Sequence, residues 1–180
     1  SPMSRSPRVV ALATALVVLC PALSFGGTSS GTLRTDWSQA TGMSSLLAAL
    51  NGWLDARVDW PRRPAPPQVR FVSPWQAAAH QGAPPRFQRG ALRGLYDPQQ
   101  AEILLVRPWD PRNADHVSVL LHELVHHRQA PHPWYCAAAQ EPAAYRLQSA
   151  WLAEQGLSID VNWLAVTLDA GCTPRDMHPD

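Results

Sequence analysis

Two histidines four residues apart, His122 and His126, enclose a glutamate, Glu123, and these residue types at this spacing can do chemistry. A helix turns about 100° per residue. Positions i and i+4 therefore project from nearly the same face, one turn apart, as two imidazole ligands of a single tetrahedral Zn²⁺ require. Glu123 falls to one side of such a metal, where its carboxylate can take a proton from a zinc-activated water. His127 lies a further 100° round from His126 and is directed away from a metal held by the pair.

A catalytic zinc ion needs a third protein ligand and one open position. Two residues compete for the third place. His132 lies ten residues after His122. Glu141 opens the run Glu-Pro-Ala-Ala-Tyr-Arg-Leu-Gln, in which Pro142 suits the first turn of a helix. Glu141, Ala144, Tyr145 and Gln148 share one face of that helix. Ala144 is small enough to allow close approach to the histidine helix, and a carboxylate at a helix N-terminus is held ionised by the dipole. Glu141 is the preferred ligand and His132 the alternative.

The pattern His-Glu-x-x-His followed by a downstream Glu-x-x-Ala helix, carried here by His122, Glu123, His126, Glu141 and Ala144, resembles the gluzincin zinc metallopeptidases, in the form of small exported bacterial proteins. The resemblance covers roughly residues 104–156. It implies an α+β, zincin-like fold: a small antiparallel or mixed sheet, an active-site helix bearing the two histidines, and a following glutamate helix. It also implies a strand edge beside the cleft where a peptide backbone can add, and Ile103–Val106 is the candidate for it, with an ordinary core strand as the other reading. His132 instead matches the outer spacing of metzincins. Those place a glycine where this chain has Gln129, and the Met-turn they need could come only from Met177, close to the chain end.

The elements that position these residues are legible from periodicity and punctuation. A helix is expected from Asp36 through Leu46, Leu47, Leu50, Trp53 and Leu54. Residues 61–67, with four prolines, form a rigid connection. Val69–Val72 reads as a short strand, Trp75–His80 as a helical turn and residues 81–90 as a loop. Ala91–Tyr96 and Ala101–Val106 flank the turn signal Asp97-Pro98-Gln99-Gln100 and read as a hairpin. Asp115 is the expected N-cap of the histidine helix, running to about Gln129. Val117, Leu120, Leu121, Leu124 and Val125 make its apolar arc, with His122 and His126 together outside it, close to the opposite face. The glutamate helix ends at Gly156.

The chain has 180 residues, enough for one domain with a real core. Its 15 basic residues, all arginine, nearly balance 14 acids, and no basic stripe indicates a nucleic-acid partner. Met3 reads as the start, with Ser1-Pro2 an added scar. Arg5 and Arg8 precede an apolar run from Val9 to Leu19, and Ala22-Leu23-Ser24 fits a cleavage site, so residues 1–24 are expected to be a signal peptide. The apolar run is short for a permanent anchor, and bulky Leu19 before Cys20 disfavours lipidation. Residues 25–35 read as a flexible leader and residues 36–180 as one domain, exported to the periplasm or secreted. In an oxidising compartment Cys136 and Cys172 are expected to form a disulfide, with buried thiols or a thiolate metal ligand as rivals.

The expected function is zinc-dependent hydrolysis of peptide bonds in a peptide or protein substrate. Zn²⁺ is held by His122, His126 and Glu141, Glu123 is the general base, and Tyr145 is a candidate for stabilising the oxyanion. The alternatives are a non-catalytic, zinc-stabilised binding domain, which would use four protein ligands, and a zinc amidase acting on cell-wall peptide.

Overall fold

The computed structural model describes residues 36–81 and 91–172. The signal peptide and leader expected before Asp36, Cys20, and Met177 all lie outside the described residues. Those residues are α+β: a three-stranded mixed sheet with helices on both faces.

A 3₁₀ turn, Trp37–Gln39, leads into α1, Met43–Asp55. The expected helix from Asp36 is thus broken, because Asp36 caps the short turn by accepting from Ser38 N–H and the chain is extended again at Ala40. Strand β1, Gln68–Val72, is followed by α2, Pro74–Gln81, which is longer than the single turn expected. Strands β2, Gly94–Asp97, and β3, Glu102–Val106, form the hairpin. In its turn the Asp97 side chain accepts from the N–H groups of Gln99 and Gln100, and Ala101 takes a left-handed conformation.

The strand order is β1-β3-β2, with β1 parallel and β2 antiparallel to β3. Ile103–Val106 is therefore the central strand: of the two readings the ordinary core strand holds, and the edge strand beside a cleft does not. The physical reason lies in the run itself. Four consecutive apolar residues suit a strand covered on both faces. Ile103 and Leu105 join the main core with α1, and Leu104 and Val106 pack with Val72 and Ala77 under α2. β2, paired to β3 on one side, takes the position beside the histidine helix.

Helix α3, Ala114–Gln129, carries the histidines. Its N-cap is Asn113, whose side chain accepts from the N–H groups of Asp115 and His116, so Asp115 is a first-turn acid and not the expected cap. Asp115 pairs with Arg93 instead. From Val117 to Gln129 every residue of α3 is buried, His122 and His126 included. A second 3₁₀ turn, Ala137–Gln140, leads directly into α4, Glu141–Glu154, with Pro142 in its first turn. α4 covers the histidine face, and Ala144 at the contact is completely buried. Gly156, at φ +73°, ends α4, with its N–H bonded to Ala153 C=O and that of Leu157 to Leu152 C=O.

The main core gathers Leu46, Leu50 and Leu54 of α1, Leu120, Leu121 and Leu124 of α3, and Trp151 and Leu152 of α4 against the sheet. Each fully buried leucine contributes on the order of 1.5–3 kcal/mol. A last helix, α5, Trp163–Ala170, was not anticipated from the sequence. The disulfide Cys136–Cys172 fastens its end to the turn before α4, with Cα atoms 6.0 Å apart.

Candidate metal centre

His122, His126 and Glu141 converge from α3 and the first residue of α4, each offering a ligand atom within 4.8 Å of the others. The individual separations are tighter. His122 Nε2 stands 3.1 Å from His126 Nε2 and 3.2 Å from Glu141 Oε2. His126 Nε2 stands 3.4 Å from Glu141 Oε1. Ligands held 2.0–2.1 Å from a tetrahedral ion are separated by about 3.3–3.4 Å. The three groups thus form a triangle, with a different carboxylate oxygen facing each histidine, whose sides are close to those that ligands of a tetrahedral metal need, and two imidazoles with one carboxylate are a donor set that divalent zinc accepts. The cluster can bind a metal ion.

Helix geometry produces this arrangement. The i, i+4 spacing stacks the imidazoles, with ring centroids 4.8 Å apart. The 3₁₀ turn delivers Glu141 at the start of α4, where Pro142 needs no N–H partner. The far nitrogens are also engaged: His122 Nδ1 meets Gln148 Oε1 at 3.0 Å, and His126 Nδ1 meets Gln129 Oε1 at 2.9 Å.

The electrostatics reflect crowding of like groups. Burial works against ionisation of Glu141, but hydrogen bonds from His122 and His126 overcome it and hold the carboxyl far below its usual range. Burial likewise opposes charge on His126, yet Glu141 and Glu123 raise its pKa to about 9.

Glu123 is buried, and burial raises its carboxyl pKa; the Glu141 charge adds to this, while His122 and His126 oppose it. No hydrogen bond from the described residues engages its carboxylate, and neither oxygen is sealed from solvent without a partner. It lies against Gly94 of β2. A Cβ at Gly94 would stand 2.8 Å from Glu123 Oε1 and 2.7 Å from Val119 Cγ1, so only glycine lets the strand approach the helix here.

Tyr145, one turn along α4 from Glu141, stacks edge-on against His122 with centroids 4.6 Å apart. Burial pushes its phenol up to about 12, helped by the charges of Glu141 and Glu123, so it remains a protonated donor near neutral pH.

The other residues weighed from the sequence are elsewhere. His132 stands near Trp60, with ring centroids 6.5 Å apart, and is not in the cluster. Cys136 is held in the disulfide and cannot be a thiolate ligand. His127 faces away: its Nε2 donates to Ala65 C=O at 3.2 Å, and its Nδ1 lies 3.1 Å from the Tyr96 hydroxyl. Gln129, Ser118 and Gly94 had no assigned role from sequence. The sequence did put Gln148 two turns after Glu141 on one face, the spacing at which it reaches His122.

A family model for a domain of unknown function (DUF6647) matches residues 39–180, and the chain belongs to that family. No curated protein and no solved structure matches it.

Proposed function

We propose that this chain is a zinc-dependent hydrolase of peptide bonds, with the metal held by His122, His126 and Glu141. The observation that carries the reading is the triangle of ligand groups, 3.1 Å between the two Nε2 atoms, 3.2 Å from His122 to Glu141 Oε2 and 3.4 Å from His126 to Glu141 Oε1, next to a buried carboxylate that no hydrogen bond from the described residues engages. Among the described residues the cluster has three members. A purely structural zinc site is usually closed by four protein ligands, and a three-ligand site keeps a position for water.

Zinc in this cluster supplies Lewis acidity, polarising a scissile carbonyl and acidifying water. Glu123, its proton affinity raised by burial, accepts the proton of the attacking water and returns it to the leaving amine. Tyr145 keeps its phenolic proton and donates a hydrogen bond to the oxygen that develops charge. β2 offers an outer edge, and a peptide added antiparallel there runs past Gly94 and hence past Glu123. The disulfide supports action in an oxidising compartment, outside the cytoplasm.

The test is hydrolysis of a fluorogenic peptide library, and of cell-wall peptide, by zinc-loaded protein and its Glu123→Gln variant. The variant is expected to keep one zinc per chain and lose about 10²–10⁴-fold in rate. Undiminished hydrolysis by the variant would remove Glu123 from the mechanism. Wild-type protein that binds zinc but cleaves no amide would favour the non-catalytic, zinc-stabilised domain.

A further inference from the structure

Hydrogen-bond direction fixes the tautomers of both ligand histidines. Ser118 Oγ lies 2.7 Å from Asp115 C=O, and a carbonyl can only accept, so the single hydroxyl proton points there. The lone pairs left on Ser118 Oγ face the Gln148 side chain at 2.9 Å and must meet its NH₂ group. The Gln148 carbonyl therefore faces His122, whose Nδ1 must carry a hydrogen. A second chain runs the same way. Gln140 C=O accepts from the Gln129 amide at 3.1 Å, which turns the Gln129 oxygen onto His126 and requires a hydrogen on its Nδ1. Each sequence of donors begins at a main-chain carbonyl, and Ser118, Gln129 and Gln148 are all buried, so water does not rearrange them.

We propose that Gln148 and Gln129 are positioning residues for the cation: each locks its histidine in the Nδ1–H form and turns the Nε2 lone pair into the triangle. The inference rests on the zinc reading above and adds a chemical property to it. Both braces are neutral amides. A carboxylate in the same place would draw the Nδ1 proton and make the imidazole a stronger electron donor. Amide bracing orients the rings without that donation, so the cation stays more electron-poor and a stronger Lewis acid. Ser118, acting through Gln148, is the third member of the device.

Zinc affinity, measured by competition with a chromophoric chelator, and the visible spectrum of the cobalt-substituted protein test this without reference to turnover. Gln148→Leu and Gln129→Leu are each expected to weaken zinc binding by about 10–100-fold and to alter the cobalt bands. Gln148→Glu keeps size and acceptor, and is expected to bind zinc at least as tightly as wild type, rescuing the leucine variant. Affinities within twofold of wild type for both leucine variants, with unchanged cobalt spectra, would overturn the positioning role. If a leucine variant does not fold, Gln148→Glu decides: tenfold weakening overturns the proposal, and equal or tighter binding upholds it. Failure of the zinc reading looks different, since wild type itself would then bind no stoichiometric zinc. Failure of hydrolysis alone would leave the affinities, and this inference, untouched.

Discussion

His126 and His127 are sequence neighbours on one helix, both buried and both hydrogen-bonded, yet they belong to opposite kinds of site. His127 has both ring nitrogens satisfied within the protein, Nε2–H on Ala65 C=O and Nδ1 beside the Tyr96 hydroxyl. Burial lowers its pKa; the Ala65 carbonyl opposes this and the charges of Arg63 and Arg128 add to the lowering, so the ring is neutral and complete. Arg128 next to it is 1% exposed and fully occupied by Asn51, Trp60 C=O and Asp55. His126 instead turns its Nε2 toward another imidazole and a carboxylate. One face of α3 closes its polar groups on each other and holds the fold. The other gathers two imidazole nitrogens and a carboxylate in a cluster that could hold a metal ion. Burial of a histidine does not separate the two cases; what its second nitrogen faces does.

That contrast predicts a double dissociation, and its largest effect is on the metal. His126→Ala removes one of three ligands and is expected to weaken zinc binding by more than about 10³-fold, while His127→Ala leaves affinity within a few-fold. Equal losses from both would collapse the distinction. Next in size is Arg128→Met, which strands Asn51 and the Trp60 carbonyl. It is expected to cost about 2–3 kcal/mol in chelator-containing urea unfolding, with zinc affinity in the folded protein unchanged. Gly94→Ala forces β2 off α3 and displaces Glu123. It should cost about 1–3 kcal/mol and lower hydrolysis, without changing zinc stoichiometry. The smallest effect belongs to Asp55. Hydrogen bonds from Arg62 hold its carboxyl below the ordinary value, burial opposes them, and Arg128 adds to the lowering. A depressed carboxyl stabilises the fold in full above its unfolded pKa of about 4, and that stability is lost as pH falls through the folded value. Asp55→Asn is therefore expected to lower the unfolding free energy at neutral pH, read from urea titration, by about 0.2–1 kcal/mol. The gap from wild type should narrow in acid; a gap constant with pH would show that the pair contributes nothing through ionisation.

The face with the candidate metal ligands was the more legible of the two in the sequence. Two histidines at i, i+4 and a glutamate heading a proline-started helix are local patterns, and α3 and α4 form where periodicity and Gly156 place them. The opposite face depends on contacts that no local pattern encodes: Arg128 reaches Asn51 across 77 residues and His127 reaches Ala65 across 62. The misplaced details have physical causes too. Asn113 outcompetes Asp115 as cap because its amide oxygen reaches two N–H groups while Asp115 is drawn to Arg93. Ile103–Val106 is central because an unbroken apolar run needs cover on both faces. α5 went unread because Leu164 and Leu168 remain exposed, so its apolar residues do not trace a buried stripe. Gln148 and Gln129 carry a helical spacing signal, but glutamines on a helix are ordinarily solvated, and only the buried Ser118 hydroxyl and the Gln140 carbonyl give them direction.

The central claim is that His122, His126 and Glu141 hold one zinc ion and leave a position open. X-ray absorption at the zinc edge of the reconstituted protein measures this directly. One zinc per chain is expected, with two imidazole nitrogens and light oxygen ligands at about 2.0–2.1 Å, one of the oxygens exchangeable for an added hydroxamate. A sulfur ligand, a third imidazole, or a shell that excludes the hydroxamate would contradict it.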